Sequence, residues 1–270
     1  MALSITRTKY NMKSLLGKVA IITGSSRGIG LAIAKRLAAD GARVMLTGRS
    51  VDLLDKHVAD INAHGGEAKS LVLDLSKPDA ADMLVKATLQ AFGAIDIVVN
   101  NAGATKRGDF LNLTEADWAE GFGLKFYGAV RLTRAAWPLL KQTKGSVVMI
   151  AGVGGRTPGA EFSIGGSVNA AMLSLTKALA DLGIQDGVQV NAINPGFIKT
   201  DRLAPRLKAI AEKHKVNLNE AEEIMARDAH VSRLGEPSDV AALVAFLVSL
   251  DGRLMQGSCI DADLGQTKTI

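Results

Sequence analysis

The chain has 270 residues, of which 47% are hydrophobic, and a formal charge of +5 at pH 7. This length and composition suit one domain with a large buried core, and the single Cys259 excludes an intrachain disulfide framework. No apolar run approaches the roughly 18 residues of a membrane span, and the dispersed basic residues suit an anionic cofactor or substrate better than nucleic acid.

The N-terminal residues and the single cysteine indicate the domain boundary and the cellular compartment. Residues 1–16 are polar and basic, without the apolar stretch of a secretion signal, so we expect a flexible N-terminal extension followed by one domain over 17–270. A single cysteine is compatible with a reducing compartment, and we expect a cytoplasmic protein. The four histidines lack metal-ligand spacing, and no metal site is predicted.

Short β-branched apolar runs alternate with longer helical patterns along the chain. The predicted strands are residues 19–23, 43–47, 68–73, 95–99, 146–150, 189–193 and a last one near 258–261. The predicted helices are residues 29–40, 51–64, 80–92, 115–140, 168–182 and 238–250. Several strands are apolar almost throughout, as strands covered on both faces must be. The order predicts an α/β fold: a doubly wound parallel (Rossmann) sheet of about seven strands in a single domain.

The first predicted strand leads into a glycine-rich turn, Thr23-Gly24-Ser25-Ser26-Arg27-Gly28-Ile29-Gly30. Gly24 would permit the tight turn, Gly28 a close approach of the backbone to a phosphate, and Gly30 the packing of helix on strand. A helix that starts here points its free N–H groups at the bound anion. The turn therefore predicts a dinucleotide site.

Four further motifs follow in order, the first three of them at the ends of later strands. They are Asp74-Leu75, Asn100-Asn101-Ala102-Gly103, the run from Asn194 to Thr200, and the run from Arg233 to Ala241. With these motifs the chain resembles the short-chain dehydrogenase/reductase family, near its ketoacyl-reductase-like members, over residues 16–265. The resemblance implies a nicotinamide oxidoreductase that forms a homodimer or homotetramer through helices 115–140 and 168–182.

The resemblance also implies which residues hold the cofactor. Asp74 and Leu75 would contact the adenine, the loop from Asn101 to Gly103 would line the ribose and nicotinamide path, and Ile198 and Thr200 would bind the carboxamide end. The full predicted set is Gly24, Ser26, Arg27, Gly28, Ile29, Gly30, Arg49, Asp74, Leu75, Asn101, Ala102, Gly103, Pro195, Gly196, Ile198 and Thr200.

The end of the second strand indicates which cofactor is preferred. An NAD-specific site carries a carboxylate there for the ribose hydroxyls, and this chain has Gly48 followed by Arg49. Nothing repels a 2′-phosphate at this position, and Arg27 and Arg49 can supply the planar cationic donors that phosphate favours. We therefore predict NADP(H) in preference to NAD(H), although Arg49 could also be a solvated loop cation.

The positions of the family's catalytic residues are all substituted. By register with strand 146–150 and with the run from Ala170 to Lys177, the Ser, Tyr and Lys positions hold Gly152, Gly165 and Asn169. The Asn position on the long helix holds Lys125. A partly buried lysine can serve as an acid, a base or a nucleophile, so Lys125 is the candidate catalytic residue. It could equally bind a ligand or be a benign structural substitution.

Other side chains near these positions are weaker candidates. Neither tyrosine is expected to substitute, since Tyr10 lies in the extension and Tyr127 lies about 200° around the helix from Lys125. Glu161, Ser163 and Ser167 could hydrogen-bond a ligand, and Arg156 is more simply a loop cation than an anion contact. The glycines from 152 to 166 are expected to leave open space beside the nicotinamide.

Three hypotheses about function remain open from the sequence. The first is an NADP(H)-dependent oxidoreductase with an altered reaction centre, acting on a carbonyl or alcohol. The second is an inactive nucleotide-binding or regulatory homologue, and the third is a non-redox lyase or isomerase that uses Lys125. In each case the polar segment 201–233 is predicted to be a mobile helical lid, with a solvated surface excursion as the alternative.

Overall fold

Seven parallel strands make up the central sheet of this protein, in a computed structural model that describes residues 14–268. The strands are β1 Val19–Thr23, β2 Arg43–Gly48, β3 Glu67–Val72, β4 Ile97–Asn100, β5 Ser146–Ile150, β6 Gln189–Pro195 and β7 Cys259–Ala262. Their order across the sheet is β3-β2-β1-β4-β5-β6-β7. The predicted doubly wound α/β fold is confirmed.

Helices follow the strands and cover both faces of the sheet. They are α1 Gly28–Ala39, α2 Val51–Ala63, α3 Ala80–Phe92, α4 Glu115–Gly121, α5 Gly128–Thr143, α6 Ser163–Asp186, α7 Ala204–His214, α8 Leu218–Asp228 and α9 Pro237–Val248. A six-residue π-helical segment, Phe122–Tyr127, joins α4 to α5. No helix within residues 14–268 is both long enough and apolar enough to cross a membrane.

Two apolar cores lie on the two faces of the sheet. Successive residues of β1 alternate between them: Ala20 and Ile22 face the α1 and α9 side, whereas Val19 and Ile21 face the α3, α5 and α6 side. This alternation is the two-residue period of a strand, and it explains why the first four residues of β1 are all apolar. Burial of β1 on both faces holds the loop that follows it in a rigid position.

The predicted boundary of the N-terminal extension at residue 16 is too late. Leu15 is 2% exposed and packs in the first core, and its amide donates to the Asp40 carbonyl at 2.9 Å. Residues 1–13 of the predicted extension, and Tyr10 with them, lie outside the described residues. The folded domain therefore starts before residue 17, because Leu15 is part of its core.

Two predicted helices differ from the observed ones where the difference bears on the site. The predicted helix 115–140 is α4, the π segment and α5 in succession, with Lys125 inside the π segment. The predicted helix 168–182 is α6, which begins at Ser163. The poor helix propensity of Gly165 and Gly166 is overridden by packing, since Gly166 lies directly against Pro158 and the Gly154 carbonyl.

The predicted lid segment, 201–233, contains helices α7 and α8 and has a small core of its own. Leu203, Leu207 and Met225 are buried in it. Lys199, just before the segment, pairs with Glu222 of α8 at 2.7 Å and with Glu236 before α9 at 3.0 Å. The segment is thus a packed helical unit rather than a solvated excursion, and its mobility stays a prediction.

The faces expected to form a subunit interface carry exposed apolar side chains. At the C-terminal end of α6, Leu182 is 45% and Ile184 is 70% exposed. The homodimer or homotetramer stays a prediction.

The loops after β1 and β4 meet where the strand order reverses, the position at which open α/β sheets bind ligands. Gly24, with φ of +63°, is so close to the β4 loop that an added Cβ would lie 2.9 Å from the Ala102 Cα. A Cβ on Gly30 would lie 2.5 Å from the Asn101 Nδ2 and would overlap the Gly24 carbonyl. Glycine at position 30 is therefore required by packing.

We predict that Gly30→Ala destabilises the protein by about 1–3 kcal/mol, the usual range for overpacking a tight contact. The matched control is Gly123→Ala, since a Cβ there meets no heavy atom within 4 Å, and alanine is the better helix former. Thermal and denaturant unfolding of the two variants measure the difference. Equal transition midpoints for Gly30→Ala and the parent would contradict the packing argument.

Candidate active site

The glycine-rich turn is locked to the β4 loop by a pair of polar side chains. Thr23 Oγ1 accepts hydrogen bonds from the Asn101 and Ala102 amides, both at 2.9 Å. The Asn101 side chain donates back to the Thr23 carbonyl at 2.9 Å and the Gly24 carbonyl at 3.2 Å. The backbone and side-chain amide nitrogens of Asn101, a predicted cofactor residue, therefore both hold the turn in place. This role of Thr23 was not predicted from the sequence.

Helix α1 begins in this turn without a side-chain cap. Its N-cap residue, Arg27, makes no side-chain capping bond, and the first turn holds no acidic residue. Gly28 has φ of +55°, and an added Cβ would lie 3.2 Å from the Thr200 Cγ2. Uncapped N–H groups at a helix start favour an anion, so the turn fits a pyrophosphate group.

The end of β2 lies beside the same turn and presents no carboxylate. A Cβ on Gly48 would lie 3.3 Å from the Ser26 Oγ, so the predicted residues Ser26 and Gly48 are neighbours. Arg27 and Arg49 are both exposed here. A backbone hydrogen bond from Ser76 lowers the pKa of Asp74, and the charge of Arg49 lowers it further. Arg49 thus lies near Asp74 with its guanidinium available to a ligand.

The remaining predicted cofactor residues line the same edge of the sheet. The Gly196 amide donates to the Ala262 carbonyl at 3.2 Å, and the buried Ile198 forms a bridge with Gly235. Leu75, next to Asp74, is buried, and its carbonyl accepts a bond from Arg131 at 3.3 Å. The predicted set therefore gathers along the carboxyl ends of β1, β2, β3, β4 and β6, and its contacts with a cofactor stay a prediction.

Lys125 reaches the centre of this edge from the π segment. Its Nζ donates to the Asn169 Oδ1 at 2.6 Å and to the Ala151 carbonyl at 2.7 Å. Its side chain crosses Gly103, where an added Cβ would lie 2.8 Å from the Lys125 Cδ. Two of the substituted positions, 125 and 169, are thus in direct contact next to the predicted nicotinamide path.

The environment of Lys125 disfavours its charged form. Burial lowers the pKa of Lys125 to about 7, and the nearby positive charge of Arg202 contributes. Both hydrogen-bond acceptors are neutral. A neutral amine has two hydrogens and can keep both bonds, whereas the ammonium form has a third proton to give. Lys125 can therefore gain and lose a proton near neutral pH without breaking its contacts.

The expected open space beside this lysine is filled, so that expectation is wrong. The ring of Phe162 lies over Gly165 and Gly154: an added Cβ on Gly165 would lie 2.7 Å from the Phe162 Cδ2, and one on Gly154 would lie 2.6 Å from its Cε1. A Cβ on Gly152 would lie 2.9 Å from the Asn169 Nδ2. The glycines make room for Phe162 and Asn169 rather than for a ligand.

The weaker candidates take structural or outward positions. Arg156 pairs with Asp261 at 3.3 Å and donates to the Cys259 carbonyl at 3.1 Å, so it anchors a loop rather than binding an anion. Tyr127 is 51% exposed, and Ser167 and Glu161 are exposed as well. Within residues 14–268, the buried Ser163 Oγ has no hydrogen-bond partner.

Three arginines that the sequence did not single out converge on the cleft. Arg202, at the start of the lid segment, donates to the Gly103 carbonyl. Arg107 lies 4.0 Å from the centroid of the Phe162 ring, and Arg206 of α7 lies 4.8 Å from that of Phe197. All three stand on loops or on the lid segment, where no periodic pattern predicts the direction of a side chain.

Comparison with known proteins shows similarity over nearly the whole chain. A family model described as enoyl-(acyl carrier protein) reductase matches residues 24–267. A 3-oxoacyl-[acyl-carrier-protein] reductase of Synechocystis is 37% identical over 243 residues, which cover 88% of this chain and 92% of that protein.

Two solved structures share the fold. L-sorbose reductase from Gluconobacter frateurii, complexed with NADPH and L-sorbose, has a TM-score of 0.91 at 30% identity and covers 96% of this chain and 100% of its own. An NADPH-bound short-chain oxidoreductase from Pseudomonas aeruginosa, described as containing an atypical catalytic center, has a TM-score of 0.88 at 26% identity. That match covers 94% of this chain and 99% of the other.

Proposed function

Because the chain belongs to the short-chain dehydrogenase/reductase family of oxidoreductases, we propose that it is an NADP(H)-dependent oxidoreductase of a carbonyl or alcohol substrate in which Lys125 transfers the proton. The observation that carries this proposal is the Lys125 amine, held by the Ala151 carbonyl and Asn169 beside Gly103. Its pKa of about 7 is near the pH at which a general acid works best.

The residues around the glycine-rich turn fit NADP(H). The uncapped α1 N-terminus suits the pyrophosphate. Beside it, Gly48 leaves room next to Ser26, and the exposed Arg27 and Arg49 suit a 2′-phosphate. Two similar structures, the L-sorbose reductase and the P. aeruginosa oxidoreductase, contain NADPH. When bound, the cofactor supplies a hydride in reduction or accepts one in oxidation.

The proton is the part of the reaction that this chain's own residues handle. In reduction, the protonated Lys125 gives one hydrogen to the substrate oxygen, so that an N–H bond breaks and an O–H bond forms. The neutral amine left behind keeps its two hydrogen bonds to Asn169 and Ala151, and it regains a proton from solvent. In oxidation the same amine acts as the base. Asn169 and the Ala151 carbonyl orient the Nζ in both directions.

The other two hypotheses are disfavoured by particular observations. A scaffold retained only for binding has no need for a lysine whose pKa is lowered at the reaction centre. The P. aeruginosa relative, which has an atypical center, is itself an oxidoreductase with bound NADPH. A lyase or isomerase that forms an imine at Lys125 would be trapped covalently by borohydride and a carbonyl ligand, and we expect no such adduct.

We predict that NADPH binds at least tenfold more tightly than NADH, because only the 2′-phosphate gains bonds to the cationic side chains near Gly48. Arg49→Gln should weaken NADPH binding about tenfold and leave NADH binding unchanged. Titration of cofactor fluorescence measures both constants. The matched control is Arg36→Gln on α1, since Arg36 pairs with Asp40 at the other end of that helix. Absence of binding by either cofactor would contradict the proposal.

We also predict that Lys125→Met and Lys125→Arg each lower turnover by roughly 10²- to 10⁴-fold, the usual contribution of a general acid. Arginine keeps the charge but does not release its proton, so it separates proton transfer from electrostatic binding.

In the parent, carbonyl reduction should fall as pH rises above about 7 while alcohol oxidation rises. NADPH oxidation with a panel of ketones and aldehydes measures these rates. A Lys125→Arg variant with the parent's rate and pH profile would remove Lys125 from the mechanism.

A further inference from the structure

The cleft near Lys125 holds two arginines, Arg107 and Arg206, that no ion pair within residues 14–268 neutralises. Several arginines within residues 14–268 bind a carboxylate or a carbonyl of the protein. The pairs are Arg27 with Asp201, Arg36 with Asp40, Arg156 with Asp261, Arg233 with Asp239, and Arg202 with the Gly103 carbonyl. Within residues 14–268, Arg107 and Arg206 form neither an ion pair nor a hydrogen bond, and each lies against an aromatic ring instead.

The two arginines are near each other although like charges repel. The charge of Arg206 lowers the pKa of Arg107, as burial also does, and Glu161 alone opposes the effect. Arg107 comes from the loop after β4 and Arg206 from α7 of the lid segment. Two cations from separate elements therefore lie near each other, an arrangement that a bound anion would stabilise.

The aromatic partners place this region relative to the reaction centre. The Arg107 Cζ lies 4.0 Å from the centroid of the Phe162 ring. The same ring packs on Gly154 and Gly165 beside Asn169. Asn169 in turn holds the Lys125 Nζ at 2.6 Å. Arg107 is thus connected to Lys125 through the successive contacts of the Phe162 and Asn169 side chains.

Resting on the function proposed above, we propose that the substrate carries an oxyanion, a carboxylate or a phosphate monoester, which Arg107 and Arg206 bind at the end remote from its reacting carbonyl. Guanidinium groups match both anions because their paired N–H groups are planar. The stacking on Phe162 and Phe197 holds each guanidinium in place before the anion arrives. Phe162 also supplies an apolar wall between the oxyanion and the carbonyl.

The test uses benzoate, phenyl phosphate and benzamide as probes, titrated by calorimetry into the full-length protein saturated with NADP⁺. Saturation keeps the probes out of the predicted 2′-phosphate site. We expect at least one anion to bind tenfold or more tightly than the isosteric benzamide. Arg107→Gln and Arg206→Gln should each remove about tenfold of that preference. Comparing benzoate with phenyl phosphate shows which oxyanion is preferred.

The matched control is Lys208→Gln, which removes the same charge from α7 about 200° around the helix from Arg206; it should leave anion binding unchanged. Equal binding of the anions and benzamide, or an anion preference that survives both arginine substitutions, would overturn the inference. Because cofactor binding and turnover are measured separately, this result would leave the proposed oxidoreductase standing. Selective anion binding without turnover would instead overturn the proposed function.

Discussion

The arrangement of the reaction centre depends on withdrawing one lysine amine from water without giving it a carboxylate. Lys125 Nζ has two neutral acceptors, the Ala151 carbonyl and Asn169 Oδ1, and Arg202 is its charged neighbour. Burial of an unpaired ammonium is costly, so the fold favours the neutral amine and brings its pKa to about 7. A carboxylate at position 169 would reverse this balance by stabilising the charged form.

The surrounding substitutions are consistent with one another. A tyrosine side chain at position 165 would occupy the place of the Phe162 ring, and any side chain at 152 would press on Asn169. Gly152, Gly165 and Asn169 therefore act together: the glycines admit Phe162 and Asn169, and Asn169 holds Lys125. The π segment carries Lys125, whose side chain reaches Asn169, while Tyr127 of the same segment is exposed.

The sheet, the helices and the glycine-rich turn could be predicted because their signals are local and periodic. Register with the run after position 169 also singled out Asn169, and its position on the predicted long helix singled out Lys125. The hydrogen bond between them was not predicted. The roles of Arg107, Phe162 and Arg206 could not be predicted. Arg107 lies on a loop, Phe162 ends a three-residue 3-10 helix, and Arg206 is one of several cations on a polar helix. The π segment has no compositional signal, and the filling of the glycine-lined space depends on tertiary packing alone.

The pKa of the Lys125 amine is the property on which the proposed proton transfer most directly depends. Lysine side chains labelled with ¹³C at Cε and ¹⁵N at Nζ can be followed by NMR from pH 5 to 11, with Lys125→Arg identifying the resonance. We predict that the Lys125 signal titrates near 7, about 3.5 pH units below an ordinary lysine. A titration near 10.5, the value of a solvated lysine, would contradict the claim that this amine exchanges a proton at neutral pH.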